Sequence, residues 1–227
     1  TYDRVRMRRL LDRLEDEGLG RGTLARTAAR MQRAAEALER RAADVARGLA
    51  TMTAAGDVIL DRDALADVEA DTQLRLLAAA IRHVASQDYR PRADALEATL
   101  DRVLAGGAST LAGCRIEAEG AQVRVFRELA AVASLSLPAG HATIWDGRWR
   151  ITGPAVPGQD IRALGEAGIL ECPAWRDTGL SRASLLATPA IWQGSALIAA
   201  PVAGRTEGWS AEFLPDRRDF VTSLITH

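Results

Sequence analysis

The sequence contains no lysine and no asparagine, and only two cysteines, two tyrosines and three phenylalanines among its 227 residues. All 29 basic residues are therefore arginine, a bias that fits GC-rich coding, so arginine content is not by itself a signal. Cys114 and Cys172 make no CxxC pattern, which argues against a zinc site or a disulfide framework. No apolar run approaches the ~18 residues that a membrane-spanning helix needs, and the N-terminus lacks an apolar signal core. GxxxxGKS/T, GxGxxG, HExxH and GxSxG are all missing, so a self-contained nucleotide or hydrolase site has no support. His83, His141 and His227 are scattered without metal-ligand spacing, and His83, beside Arg82 on a helical stretch, reads as a surface or boundary residue. These absences suggest a cytoplasmic chain with no membrane segment and no metal of its own.

What is present fits one large domain or two small ones. Apolar residues make up 48% and charged residues 26%, with a net charge of −1, the balance of a globular chain. The charge is uneven: residues 1–50 carry twelve arginines against eight acids, while residues 51–130 carry nine against thirteen. All five tryptophans fall after residue 140, where glycine and proline also cluster. A boundary at Ser134–Gly140 follows, dividing the chain into 1–133 and 134–227. Starting at Thr1 without Met, already charged and helix-like, the sequence reads as a piece of something longer.

Met7, Leu10, Leu11 and Leu14 form an i, i+3, i+4, i+7 stripe closed by Gly18 and Gly20, the pattern of a first helix. Thr23 is a candidate N-cap for a second, in which Leu24, Ala28, Met31, Ala35, Leu38, Ala42, Val45 and Leu49 make an unbroken seam. Arg26, Arg30, Arg33, Arg40 and Arg47 lie off that seam, and Glu36–Arg40 is a candidate i, i+4 pair. The seam either packs within the chain or forms a homodimer. Asp71–Gln87 and Arg92–Ala105 read as two further helices, with Asp63 able to cap a short one before them. The period then changes to two. Cys114, Ile116 and Ala118, the turn Glu119-Gly120, then Val123 and Val125 spell a hairpin that closes the helical domain. Two more hairpins are spelled by Ile144 to Ile151 around Asp146-Gly147, and by Ala190 to Ala200 around Gln193-Gly194, with a short helix expected over Ile161–Ala167. Cys114 and Cys172 read as small core residues, and Trp149, alternating with Ile151, reads as core too. The fold class is α+β: an N-terminal helical domain closed by a β-hairpin, then a small, strand-rich mixed α/β domain.

Tyr2-Asp3-Arg4-Val5-Arg6-Met7-Arg8-Arg9 places four arginines within six positions at a helix N-terminus, against the macrodipole. Such a cluster suits an anionic partner such as phosphate, or is simply a solvated face. This octet resembles the Y-x-R-N-x-I-R element that follows the catalytic domain of tRNA(Ile)-lysidine synthetases, with Val5 for the usual Asn and Met7 for the usual Ile. Thr110–Ile116 is similar to that family's TLGGCxI strand, Arg124–Glu128 to its following strand, and Leu186–Trp192 with Ala200-Pro201 to its C-terminal hairpin. The resemblance implies a parent enzyme that activates the wobble cytidine of a CAU-anticodon isoleucine tRNA with ATP and joins it to lysine. It places that chemistry, with ATP and Mg, on an N-terminal PP-loop domain carrying SGGxDS, a stretch not found here. This chain would then be a tRNA-recognising C-terminal part, with no catalytic residue or cofactor of its own, inactive alone, and partnered by tRNA and the PP-loop domain in cis. Arg4, Arg6 and Arg8 would face RNA or nucleotide phosphate. Arg148 and Arg150, flanking Trp149 and expected to face outward, and Arg176 beside Trp175 would contact the acceptor end. The alternative is a helical adaptor that dimerises through the 24–49 seam and has no RNA role.

Overall fold

The computed structural model describes residues 2–87 and 89–224, and all their side chains except those of Tyr2, Asp3 and Asp216. The Tyr2 ring of the octet and His227 thus lie outside the described residues. The architecture is mixed, with helices first and antiparallel sheets after them. The chain divides between Arg41 and Ala42 into two compact units.

The first unit holds α1 (Tyr2–Asp16) and most of α2 (Arg21–Leu49). Gly18, at φ +81°, takes the left-handed conformation that ends α1. Arg21 then reaches back to Asp12 at 3.2 Å. Thr23 does not cap α2 as its sequence suggests. The helix is already under way at Arg21, and the Thr23 hydroxyl accepts from Arg26 instead. Glu36 likewise accepts from Gln32 at 3.3 Å rather than pairing with Arg40. The seam has two characters. Ala42 and Leu49 are buried, as are Ala43 and Ala46 beside the seam, whereas Leu24, Met31 and Leu38 are 37%, 69% and 37% exposed.

The second unit opens with an unanticipated hairpin, β1 (Ala50–Met52) and β2 (Val58–Asp61). A short helix, α3 (Arg62–Ala66), follows. Its cap is Asp61, whose carboxylate accepts from the Ala64 N–H at 2.9 Å, rather than Asp63, which falls inside the first turn. α4 (Ala70–Ala85) and α5 (Ala93–Leu104) match their apolar stripes. β3 (Ala108–Leu111), β4 (Cys114–Glu119) and β5 (Gln122–Arg127) complete a five-stranded antiparallel sheet in the order β1-β2-β5-β4-β3. Leu60, Cys114, Ile116, Val123 and Val125 of the sheet bury against Leu76, Leu77, Ile81, Leu96 and Val103 of the two helices. At about 1.5–3 kcal/mol for each fully buried large aliphatic side chain, this core dominates the stability of the region.

Beyond α6 (Leu129–Val132) come β6 (Leu137–Pro138), β7 (Ala142–Trp145), β8 (Trp149–Thr152) and β9 (Gln159–Ala163). β9 occupies part of the stretch whose composition suggests a helix. Gln159 and Ile161 alternate inward, and the strand is paired on both sides, so the helix α7 (Gly165–Leu170) starts only after it. α8 (Arg182–Leu186), β10 (Pro189–Gln193), β11 (Ala196–Ala199), β12 (Ser210–Phe213) and α9 (Phe220–Ser223) finish the chain. Two antiparallel sheets result, β11-β10-β9-β6 and β12-β8-β7. Trp145, Trp149, Ile151, Ile161, Ile191 and Trp209 share one core, which Val132 joins, and a neighbouring core holds Leu164, Ile169, Cys172, Leu185 and Trp192. Phe220 and Leu224 return to the first core. There Phe220 covers His83, edge to face at 5.7 Å, while His83 Nδ1 lies 3.2 Å from the Ser223 hydroxyl. His83 is therefore buried, not a surface residue: α9, which its local sequence does not announce, sits over it.

Candidate nucleic-acid interface

The N-terminal arginines stand on α1 with their side chains exposed. Helical spacing divides them, because residues four apart share a row and residues two apart do not. Arg4 and Arg8 form one row. Arg6 belongs with Arg9 and Arg13, and these three, with Met7 and Leu10, line a concavity of about 590 Å³. None of the five arginines has an ion pair among the described residues, so their charge is directed to solvent or to an anionic partner. Arg9 belongs to the octet's four arginines without a role of its own there, and Arg13 lies beyond the octet; their i+3 and i+7 offsets from Arg6 are legible in the sequence.

Arg148 is placed quite differently from its expected outward position. It is 2% exposed, and its Nε donates to Asp146 at 3.0 Å. The same carboxylate accepts from Arg127 Nε at 3.1 Å and from its terminal nitrogen at 2.9 Å, and Arg127 also donates to the Gly113 carbonyl at 3.0 Å. Asp146 and Gly147, at φ +50° and +60°, make the tight turn that the β7–β8 hairpin requires. The Ser86 hydroxyl donates to the Gly147 carbonyl at 2.9 Å, seating that turn against the end of α4. Arg148 thus belongs to the turn, so strand alternation does not direct it outward. Burial pushes its pKa down, and Asp146 opposes the shift. Asp57 extends the cluster: 2% exposed, it accepts from the Ser184 hydroxyl at 2.6 Å and from Arg124 at 3.5 Å. Burial raises its pKa, against the Ser184 hydrogen bond and the charges of Arg124 and Arg148. This is a structural ion network joining the two halves of the second unit. Arg148 is not available to an RNA phosphate in this arrangement.

Arg150 and Arg176 remain exposed. Arg150 lies on β8 directly across from Glu212 of β12. The Arg176 guanidinium stacks 4.6 Å from the Trp175 ring, and Arg162 stacks in the same way on Trp192 at 4.9 Å. A guanidinium laid on an indole keeps its charge while presenting a flat surface, which suits contact with a base or a phosphate.

Neither cysteine reads as a nucleophile. Cys114 is fully buried, with its thiol pushed up to about 12 by burial, and Cys172 is buried with its pKa raised for the same reason. Among the described residues no three His, Cys, Asp or Glu side chains are grouped to hold a metal ion, and no helix is long and apolar enough to cross a membrane.

No family model matches the chain, and no solved structure does. Among curated proteins, a tRNA(Ile)-lysidine synthase of Ruegeria pomeroyi is 39% identical over 226 residues, which is 100% of this chain and 53% of that protein. The chain belongs to the tRNA(Ile)-lysidine synthase family. A second tRNA(Ile)-lysidine synthase, from Wolbachia pipientis, is 28% identical over 156 residues, and one from a Brugia malayi Wolbachia is 34% identical over 84. The chain spans about half the length of the Ruegeria synthase, 53%. The exposed arginines of α1, with Arg150 and Arg176, are therefore surface cations on part of a synthase-family protein, and Arg148 is one of its internal supports.

Proposed function

We propose that this chain is the C-terminal, tRNA-recognising portion of a tRNA(Ile)-lysidine synthase. The enzyme's ligase chemistry, modification of the wobble cytidine of CAU-anticodon isoleucine tRNA, would reside on a PP-loop domain outside these residues. ATP and Mg would be held there, this portion would be inactive alone, and the whole would work in the cytoplasm. The observation that carries the reading is similarity along the full chain to a synthase nearly twice as long, combined with exposed arginines on α1 that have no ion pair among the described residues. Arg4, Arg6 and Arg8 would contact phosphate from the helical part, 1–133, and Arg150 and Arg176 from the strand-rich part, 134–227. Limited proteolysis cutting first within 134–140 would support that division.

The test is a fluorescence titration of the chain with a CAU-anticodon isoleucine tRNA transcript over a range of salt. Replacing Arg4, Arg6 and Arg8 together by Gln should lower the log–log salt slope by roughly 2–3, about one unit per lost phosphate contact. An unchanged slope refutes the role of these residues, and no binding by the unaltered chain refutes the reading.

The exposed Leu24, Met31 and Leu38 favour a second reading, a homodimeric adaptor without an RNA role. Sedimentation equilibrium decides it: a stable dimer lost on Leu38→Asp without unfolding supports the adaptor, and a monomer at every concentration removes it.

A further inference from the structure

The arginines of α2 form a row that the function proposed above does not use. At about 3.6 residues per turn, Arg26, Arg30, Arg33 and Arg40 fall within a sector of about 80°, and at ~1.5 Å per residue they span about 21 Å of helix. All four are exposed. Arg26 donates to the Thr23 hydroxyl at 3.1 Å, while Arg30, Arg33 and Arg40 have no hydrogen bond or ion pair among the described residues. Of the two acids of this stretch, Glu39 points off the row, while Glu36 borders it, about one turn from Arg33 and Arg40, and accepts from Gln32; the apolar seam lies on the far side of the helix. A merely solvated helix face interleaves both signs of charge, since like charges at i, i+3 and i, i+4 repel. In the second unit Arg75, Arg115, Arg182, Arg205 and Arg218 each lie within ion-pair distance of a carboxylate, whereas the exposed Arg90, Arg92 and Arg102 have no ion pair among the described residues. What sets the row apart is not arginine content but the alignment of four exposed guanidiniums along one helix face, three of them without a hydrogen bond or ion pair among the described residues.

We infer that Arg26, Arg30, Arg33 and Arg40 form a linear phosphate-binding row that tracks the sugar–phosphate backbone of an RNA strand. The inference rests on the tRNA-binding reading and extends it to a second helix. A line of guanidiniums without aromatic neighbours matches a repeating phosphate charge and carries no means of reading bases, so this contact is independent of sequence. The row supplies register and affinity; any discrimination between tRNAs comes from elsewhere.

The experiment compares two charge-matched triples in the 227-residue chain. One is R30Q/R33Q/R40Q. The other, R90Q/R92Q/R102Q, changes exposed arginines outside α1 and α2. Gln keeps helix propensity close to that of Arg, and circular dichroism verifies that both triples stay folded. With an isoleucine tRNA transcript the row triple is expected to lower the salt slope by about 2, and the other triple by well under one. Equal effects of the two triples would mean general charge only and would overturn the inference. It is also overturned if the row triple leaves tRNA binding intact while R4Q/R6Q/R8Q weakens it, a result that keeps the tRNA-binding reading alive. A row triple that abolishes binding to phosphatidylserine vesicles but not to tRNA overturns it in favour of a membrane surface. No tRNA binding by the unaltered chain removes both.

Discussion

Asp146→Asn tests the claim that Arg148 is an internal support. The carboxylate of Asp146 is shared by two guanidiniums, Arg127 and Arg148, with side-chain exposures of 11% and 3%. Asn preserves the shape of Asp and tolerates the left-handed backbone that residue 146 adopts at φ +50°. The substitution therefore removes charge with little added strain. It leaves two buried cations facing each other without their counter-ion. Breaking a buried pair by removing one partner is worth about 3–5 kcal/mol, and the second arginine holds the expectation at the upper half of that range. For a unit of this size that lowers Tm by roughly 8–20 °C. Trp145 and Trp149, buried at 0% and 1% on either side of the turn, report unfolding in urea by fluorescence. Arg148→Gln should also destabilise the fold, yet leave the salt slope of tRNA binding where it was, because the guanidinium never meets phosphate. Removing both charges should cost less than the sum of the single changes, since each relieves the other's uncompensated partner. A loss below about 1 kcal/mol for Asp146→Asn would refute the buried-network reasoning. So would a lowered salt slope for Arg148→Gln in a protein that is still folded.

Three further outcomes follow from local geometry. Asp219 caps α9 by accepting from the N–H groups of Val221 and Thr222 at 3.2 and 2.9 Å, so Asp219→Ala should cost about 1 kcal/mol in urea unfolding. The hydroxyl of Thr222 and these backbone bonds lower the Asp219 pKa, so the capping contribution is present above the ordinary carboxylate range and lost as pH falls through the depressed folded value; the difference between wild type and variant should close on acidification below pH ~4. Gly56→Ala should destabilise by about 1–3 kcal/mol in the same assay, because Gly56 sits at φ +83° and an added Cβ would come within 2.4 Å of the Phe213 ring. Cys114, its thiol pushed up to about 12 by burial, should resist alkylation by iodoacetamide at pH 8 until the chain is unfolded, as mass spectrometry after timed labelling would read.

Local pattern carried much of this fold. The turns at Gly120, Gly147 and Gly194 stand where period-two runs reverse, and α4 and α5 match their apolar stripes to within a residue or two. What escaped was set by distant partners. β1 is three residues long and exists because it pairs with β2, which in turn pairs with β5. β9 has too little sequence to announce a strand, and its pairing with β10 decides it. His83 lies on the polar side of a local reading and is buried only because Phe220 arrives from 137 positions further along the chain. The candidate site divides in the same way. Exposed arginines on α1 follow from helical spacing alone. The fate of Arg148 depends on Asp146, Arg127 and Ser86 converging on one turn, and alternation along β8 holds no trace of that.

The arginines of this chain thus fall into two populations that composition cannot distinguish. In the second unit many are neutralised, either inside, as Arg127 and Arg148 are on Asp146, or at the surface, as Arg182 is on Glu166. In the first unit those of α1, and Arg30, Arg33 and Arg40 of α2, have no carboxylate partner among the described residues. A net charge of −1 hides this separation. Acids near an arginine stabilise the folded chain and screen it from phosphate; their absence leaves both its charge and its hydrogen-bond donors available. Stability should therefore respond to substitutions at the paired arginines with little change in salt dependence. Substitutions at the unpaired ones of the first unit should alter salt dependence and leave stability nearly untouched. A chain in which both sets moved both quantities together would show that the division between support and RNA contact is wrong.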